Sequence, residues 1–168
     1  HSFPTRRSSD LYFVLNKIGD KSMRTTAIIL AAGQGTRMKS KLPKVLHKAL
    51  GKPMVQWVLD CLSEAGVNNK ITVLGHGGEQ VAPVIAEQAM IVYQTEQLGT
   101  GHAVMQGVKA LAVDNDCVIV VCGDTPLLQA NTIKELLAKH QEEKNAVTIL
   151  TAHAPDPTGY GRIVRNEQ

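Results

Sequence analysis

The chain has 168 residues, of which 43% are hydrophobic, 20% charged and only 4% aromatic, with a formal net charge of +3. That length suits one domain with a real core, and no apolar run approaches the length of a membrane-spanning helix. The cysteines Cys61, Cys117 and Cys122 are odd in number and lack metal-ligand spacing, so they read as buried thiols of a reducing cytoplasm rather than a disulfide frame.

Residues 1–22 do not read as part of the domain. The first eleven resemble an in-frame translation of a sequencing adapter, and the next eleven read as translated untranslated sequence ahead of Met23, the expected natural start. Neither an apolar core after basic residues nor a small-residue cleavage site marks a secretion signal. The expectation is therefore a non-native leader over 1–22, set aside from the fold, and a partial domain over 23–168. The leader carries Arg6, Arg7, Lys17 and Lys21 against Asp10 and Asp20, which leaves the remainder with 14 basic and 13 acidic residues, or +1. Such a balance gives no global field for nucleic acid or a membrane, so positive charge matters only where it is focused.

The apolar run 27–30 predicts a strand, and the small residues Ala31, Ala32, Gly33 and Gly35 follow it directly. Backbone without bulky side chains can approach a ligand and turn its N–H groups toward anionic oxygens. Arg37 and Lys44 bring positive charge to the same loop, so it suits a nucleoside triphosphate. A dinucleotide-binding loop would need glycine at Met38 and a later acidic strand end, and a Walker loop would need Gly-Lys-Ser/Thr. A plain tight turn would explain the two glycines alone, but neither Arg37 nor the Pro43-Lys44 pair.

Apolar residues at 55, 58, 59, 62 and 65 predict a helix over 55–65, stopped by Gly66. A strand over 71–74 leads to Gly75, His76, Gly77 and Gly78, then a helix over 79–88 with Pro83 near its first turn. Further elements follow at 90–93 (strand), 101–112 (helix), 117–122 (the most apolar strand), 132–144 (polar-faced helix) and 146–152 (strand), with another strand beginning at 162–166. Regular alternation argues for an α/β fold, a doubly wound, mostly parallel sheet. Ligands collect outside the carboxyl ends of such strands, where four loops fall: 31–44, 75–78, 94–101 and 123–127.

Asp124 follows the buried strand, where its carboxylate either holds Mg²⁺, a hard cation with a preference for oxygen, or caps the turn at Thr125-Pro126. Gln94 ends a strand and carries an amide able to accept from one edge group of a base and donate to its neighbour, while Gly99 admits backbone to the ring. Such a pair could read uracil. Thr100 also suits a helix N-cap. His102 follows in the first turn, and a structural or phosphate-side role is favoured over a general base, since nothing nearby in sequence orients it. The 156–162 segment has turn chemistry throughout, with a sugar contact through the Gly161 backbone as its functional reading.

The motifs Leu-Ala-Ala-Gly-Gln-Gly-Thr-Arg-Met with Leu-Pro-Lys-Val-Leu, Gln-x-Glu-Gln-Leu-Gly-Thr-Gly-His-Ala, Gly-Asp-Thr-Pro-Leu and Asp-Pro-Thr-Gly-Tyr-Gly-Arg occur in this order over 25–167. Together they resemble the bacterial bifunctional N-acetylglucosamine-1-phosphate uridyltransferase/glucosamine-1-phosphate acetyltransferase family. The resemblance implies a Rossmann-like nucleotidyltransferase fold and attack of N-acetylglucosamine 1-phosphate on UTP, giving UDP-N-acetylglucosamine for peptidoglycan and lipopolysaccharide, with Mg²⁺. It implies that Leu30, Ala31, Ala32 and Gly33 contact the nucleotide, Arg37 and Lys44 the phosphates, Gln94, Gly99 and Thr100 the uridine, Gly123 and Gly161 the sugar substrate, and Asp124 the metal. The family's second metal ligand, its N-acetyl contacts and the β-helix that acetylates and trimerises are expected beyond Gln168, so the chain reads as a fragment with little or no turnover. The protein is expected in the cytoplasm, without a membrane span or nucleic-acid partner. Within the enzyme class a cytidylyl- or guanylyltransferase shares the first loop; outside it, a non-catalytic nucleotide-binding module is the alternative.

Overall fold

The computed structural model describes residues 12–15, 24–33, 35, 38–111, 117–153, 155–156, 158 and 163–164. The chain forms β1 (Tyr12–Leu15), β2 (Thr25–Ala31), a 3-10 turn at Lys44–Leu46, and the short hairpin β3 (Lys48–Ala49) and β4 (Lys52–Pro53). There follow α1 (Met54–Glu64), β5 (Asn69–Leu74), α2 (Gly78–Ile85), β6 (Met90–Tyr93) and α3 (Thr100–Lys109). The last elements are β7 (Cys117–Cys122), α4 (Ala130–Glu142) and β8 (Val147–Leu150).

Six strands make one sheet in the order β6-β5-β2-β7-β1-β8. β6, β5, β2 and β7 are mutually parallel, and β1 runs antiparallel to both β7 and β8. β7 is buried along its whole length, as its unbroken apolar sequence requires of a strand covered on both faces. The alternation of β2 divides the core. Ala27, Ile29 and Ala31 join Ile119 and Val121 under α1, α2 and α4, whereas Ile28 joins Val118 and Val120 under α3. This is the mostly parallel, doubly wound sheet expected from the alternation of strands and helices.

Most helix boundaries fall within two residues of expectation. α1 ends in a Schellman motif: Val67 N–H bonds to Leu62 C=O and Gly66 N–H to Ser63 C=O, with Gly66 at φ +85°. α2 stops at Ile85 rather than 88, with Pro83 inside it, and the Ile85 carbonyl accepts from Gln88 and Ala89 in the turn that follows. β1 falls within residues 1–22, the stretch set aside from the fold on sequence; its Tyr-Phe-Val-Leu run is strand-forming and pairs Val14 with Ile119 and Thr148. Of the strand expected at 162–166 only Ile163 and Val164 are described, and they are exposed and outside any strand. No helix among the described residues is long and apolar enough to cross a membrane.

Candidate functional site

Strand register sets the site. Leu74 pairs with both Ala31 and Tyr93, and Leu30 pairs with Cys122, so β2, β5, β6 and β7 end along one edge of the sheet. The chain leaves β2 for β5 on one side and returns to β7 on the other, which makes this edge the switch point of the topology. A cavity of about 250 Å³ opens there.

Nine of the expected site residues line it. Leu30, Ala31, Ala32 and Gly33 come from the end of β2, Lys44 from the 3-10 turn, Gln94 from the end of β6, Gly99 and Thr100 from the start of α3, and Asp124 from the loop after β7. Gly123 does not line the cavity: its N–H bonds to Leu30 C=O at 2.9 Å, and an added Cβ would lie 3.3 Å from that oxygen. Its small size lets β7 lie close to β2 at this point. Arg37 and Gly161 lie outside the described residues. The 75–78 loop is also absent from the lining. It supports the wall from behind, where a Cβ on Gly75 would sit 2.6 Å from Ala32 O and 3.0 Å from Gln97 Nε2.

Lys44 is held by the loop that precedes it. Gly35 has φ +59°, and a Cβ there would fall 2.8 Å from Lys44 Cβ, so only glycine lets the loop close on this lysine. Lys44 Nζ meets Asp124 Oδ2 in a partly buried ion pair. Among the described residues Asp124 makes no hydrogen bond that caps its turn. That role falls to Thr125, whose Oγ1 donates to Cys122 C=O at 2.7 Å.

α3 reaches the cavity because it packs close to the sheet: a Cβ on Gly107 would lie 2.7 Å from Ile28. Gly99, at φ +97°, is its N-cap and Thr100 its first residue, so the helix begins one residue earlier than expected. Gln94 is only 5% exposed. Its Nε2 donates to Gly99 C=O at 3.1 Å and lies 3.0 Å from His102 Nδ1, while His102 Nε2 lies 2.8 Å from Gln106 Nε2. The donor half of the Gln94 amide is thus engaged inside the protein, and His102 is oriented from both sides.

Sequence reasoning missed Gln97, Val45, Ala103 and Cys122, all of which line the cavity. Gln97 donates to Ala32 C=O at 3.2 Å across 65 residues of chain, and a glutamine in a polar loop gives no local sign of so distant a partner.

A larger hollow of about 510 Å³ lies between α1 and the segment before α4. Its cation is already matched: Lys52 Nζ sits 3.5 Å over the Trp57 ring and 2.6 Å from Asp60 Oδ2. Burial pushes the Asp60 carboxyl up, but hydrogen bonds from Lys52 and Gln56 outweigh it and hold the group below its ordinary value. The first cavity, at the switch point, combines backbone from a small-residue loop with a cation and a carboxylate and is the candidate site.

Together the switch-point cavity and this sheet define an α/β domain of the nucleotidyltransferase type. A nucleotidyl transferase from Methanothermobacter thermautotroptrophicus superimposes with a TM-score of 0.61 at 21% identity, over 70% of this chain and 57% of that one. The chain belongs to the MobA-like NTP transferase domain family, whose model matches residues 27–166.

It is similar to the Bifunctional protein GlmU of Halalkalibacterium halodurans, with 55% identity over 142 residues, 84% of this chain and 31% of that protein. The Exiguobacterium sibiricum protein of the same name is 54% identical over 86% of this chain and 32% of its own length. The chain thus spans about a third of the length of these curated relatives. A further fold neighbour, Rv0371C of Mycobacterium tuberculosis solved in complex with manganese, has a TM-score of 0.58 at 20% identity, over 69% of this chain and 59% of that one.

Proposed function

We propose that this domain binds UTP in the cavity at the sheet edge and belongs to a protein that transfers its uridylyl group to N-acetylglucosamine 1-phosphate. The observation that carries the reading is that one cavity brings together a buried amide, Gln94, and a cation beside a carboxylate, Lys44 and Asp124. The similarity to proteins named GlmU supports the choice of substrates. In the proposed reaction a 1-phosphate oxygen of the sugar attacks the α-phosphorus of UTP. The new P–O bond forms as the bond to the β-phosphate bridging oxygen breaks, and pyrophosphate leaves with that electron pair.

No protein nucleophile is needed, because alignment and charge neutralisation suffice. The backbone of Ala31, Ala32 and Gly33 approaches the nucleotide, Lys44 and Arg37 balance phosphate charge, and the N-terminal residues Gly99 and Thr100 of α3 face the uridine. Gly161 contributes a sugar contact. Asp124 would hold the divalent ion, with Mg²⁺ the ion of choice. No group of three or more His, Cys, Asp or Glu residues that could hold a metal occurs among the described residues, so the fit is to an ion that takes one carboxylate and completes its shell with phosphate oxygens and water. Such an ion supplies neutralisation of phosphate charge.

Acetylation of glucosamine 1-phosphate and trimer formation belong to the same proposal for the longer protein and need residues other than these 168. A cytoplasmic location, where UTP is made, and a non-native origin for residues 1–22 complete it.

Calorimetric titration of the chain with UTP, CTP and GTP in the presence of Mg²⁺ tests the reading. UTP is expected to bind most tightly, with an affinity that falls when Mg²⁺ is chelated. A preference for CTP or GTP would overturn the uridine assignment, and no binding of any triphosphate would overturn the site.

A further inference from the structure

We infer that His102 and Gln106 are positioning residues that fix the orientation of the Gln94 amide, so that the cavity presents a hydrogen-bond acceptor and selects a base with a ring N–H. The inference rests on the proposed uridine site and explains how it would tell uracil from cytosine.

The argument is a closed donor and acceptor account. Gly99 C=O can only accept, and it lies 3.1 Å from the Gln94 amide, so the NH₂ group of Gln94 must face it. The same NH₂ lies 3.0 Å from His102 Nδ1. Nδ1 must therefore accept, which places the proton of the neutral ring on Nε2. Nε2 then carries the proton and faces Gln106 Nε2 2.8 Å away; two donors cannot bond, so the terminal amide of Gln106, whose O and N are isosteric, is assigned the reverse orientation, with its oxygen accepting from His102 Nε2–H. Reversing any one amide or the tautomer sets two donors or two acceptors face to face.

The consequence appears at the cavity. Both hydrogens of Gln94 Nε2 are engaged, and Oε1 carries no protein hydrogen bond among the described residues while its side chain lines the cavity. Gln94 is 5% exposed, so this oxygen needs a donor when a ligand excludes water. Uracil offers its ring N3–H. Cytosine offers a ring nitrogen lone pair at the same position and would set acceptor against acceptor. Releasing the amide from His102 would let it flip and serve either base, with loss of discrimination.

Titration calorimetry with UTP and CTP, each with Mg²⁺, on the full chain and three variants tests this. In His102→Leu the UTP-over-CTP affinity ratio is expected to fall roughly tenfold, the scale of one hydrogen bond. Gln106→Lys, which can only donate and so demands the opposite tautomer, should lower the ratio in the same direction. Gln106→Glu, which can only accept, should keep it.

A merely structural role for these residues would weaken both nucleotides together and leave the ratio unchanged, and that result would overturn the inference. Melting curves of the variants identify any that do not fold, and the two Gln106 changes, at a half-buried position, carry the test if His102→Leu fails. If the unaltered chain binds neither nucleotide, or binds CTP at least as well as UTP, the proposed function itself fails and takes the inference with it.

Discussion

Lys44 and Asp124, 80 residues apart, meet as an ion pair at the cavity, Nζ against Oδ2. Each is the other's counter-charge, and under the proposed function the cation would serve the phosphates and the carboxylate the metal. Binding should therefore exchange one pair for two.

Lys44→Met is expected to weaken UTP binding by roughly ten- to a hundredfold, as for loss of a charge-assisted hydrogen bond. Asp124→Asn should do so chiefly when Mg²⁺ is present. The Lys44 side chain is 37% exposed, so the pair contributes at most about 1 kcal/mol to folding, and melting temperatures should change little. Calorimetry alongside thermal melts separates the two effects; equal UTP affinity in all three proteins would remove both residues from the site.

Gly35 tests whether the loop positions that lysine. Gly35→Ala places a Cβ 2.8 Å from Lys44 Cβ at φ +59°, whereas Gly51→Ala also meets a positive φ, +82°, but with nothing within 4 Å. Both should lose about 1–2 kcal/mol of stability from the left-handed backbone alone. Only Gly35→Ala should also weaken UTP binding. If the two variants bind UTP alike, Gly35 is a turn residue and nothing more.

What could be read without coordinates follows from how local each signal is. The apolar runs of β2 and β7 and the 3.6-residue spacing of α1 are properties of adjacent residues, so these elements and their order were legible. Lys44, Asp124 and Gln94 were legible as candidates because strand ends in a parallel sheet converge. The contacts that make them a site are long-range. The Gln97 bond to Ala32, Gly107 against Ile28, and Gly123 against Leu30 depend on packing between segments that the sequence does not juxtapose. His102 illustrates the boundary, since its two amide partners, Gln94 and Gln106, are near in sequence but only helix geometry and the turn before it aim them at the ring.

β1 separates the sheet from the site. It pairs with both β7 and β8, and every cavity residue lies at or after Leu30. Deletion of residues 1–22 leaves β7 and β8 each without that partner, exposing strand edges that favour association. The shortened chain is expected to unfold at lower urea and to elute partly as oligomers in size-exclusion chromatography, while its monomeric fraction binds UTP as before. Unchanged urea midpoint and elution would mean that β1 contributes nothing to the sheet's stability.

His140 gives the fold a pH dependence of its own. It is fully buried on α4, with Nδ1 2.8 Å from Thr148 Oγ1 and Nε2 buried without a hydrogen-bond partner in the described structure. Burial pushes its imidazole below the ordinary value of 6.5, because the charged ring would lose its solvation without a counter-ion. Between the folded value and 6.5 the unfolded chain binds the proton and the folded chain does not. The neutral ring's contribution is therefore fully present above about pH 6.5 and is lost as pH falls below it. Urea denaturation at pH 7.5 and pH 5.5 should show a lower midpoint in acid, and His140→Phe, whatever its stability at pH 7.5, should show a smaller drop. The other histidines are common to both proteins, so the difference between the two drops reports His140 alone. Equal drops would mean that His140 takes up its proton as readily in the folded chain as in the unfolded one.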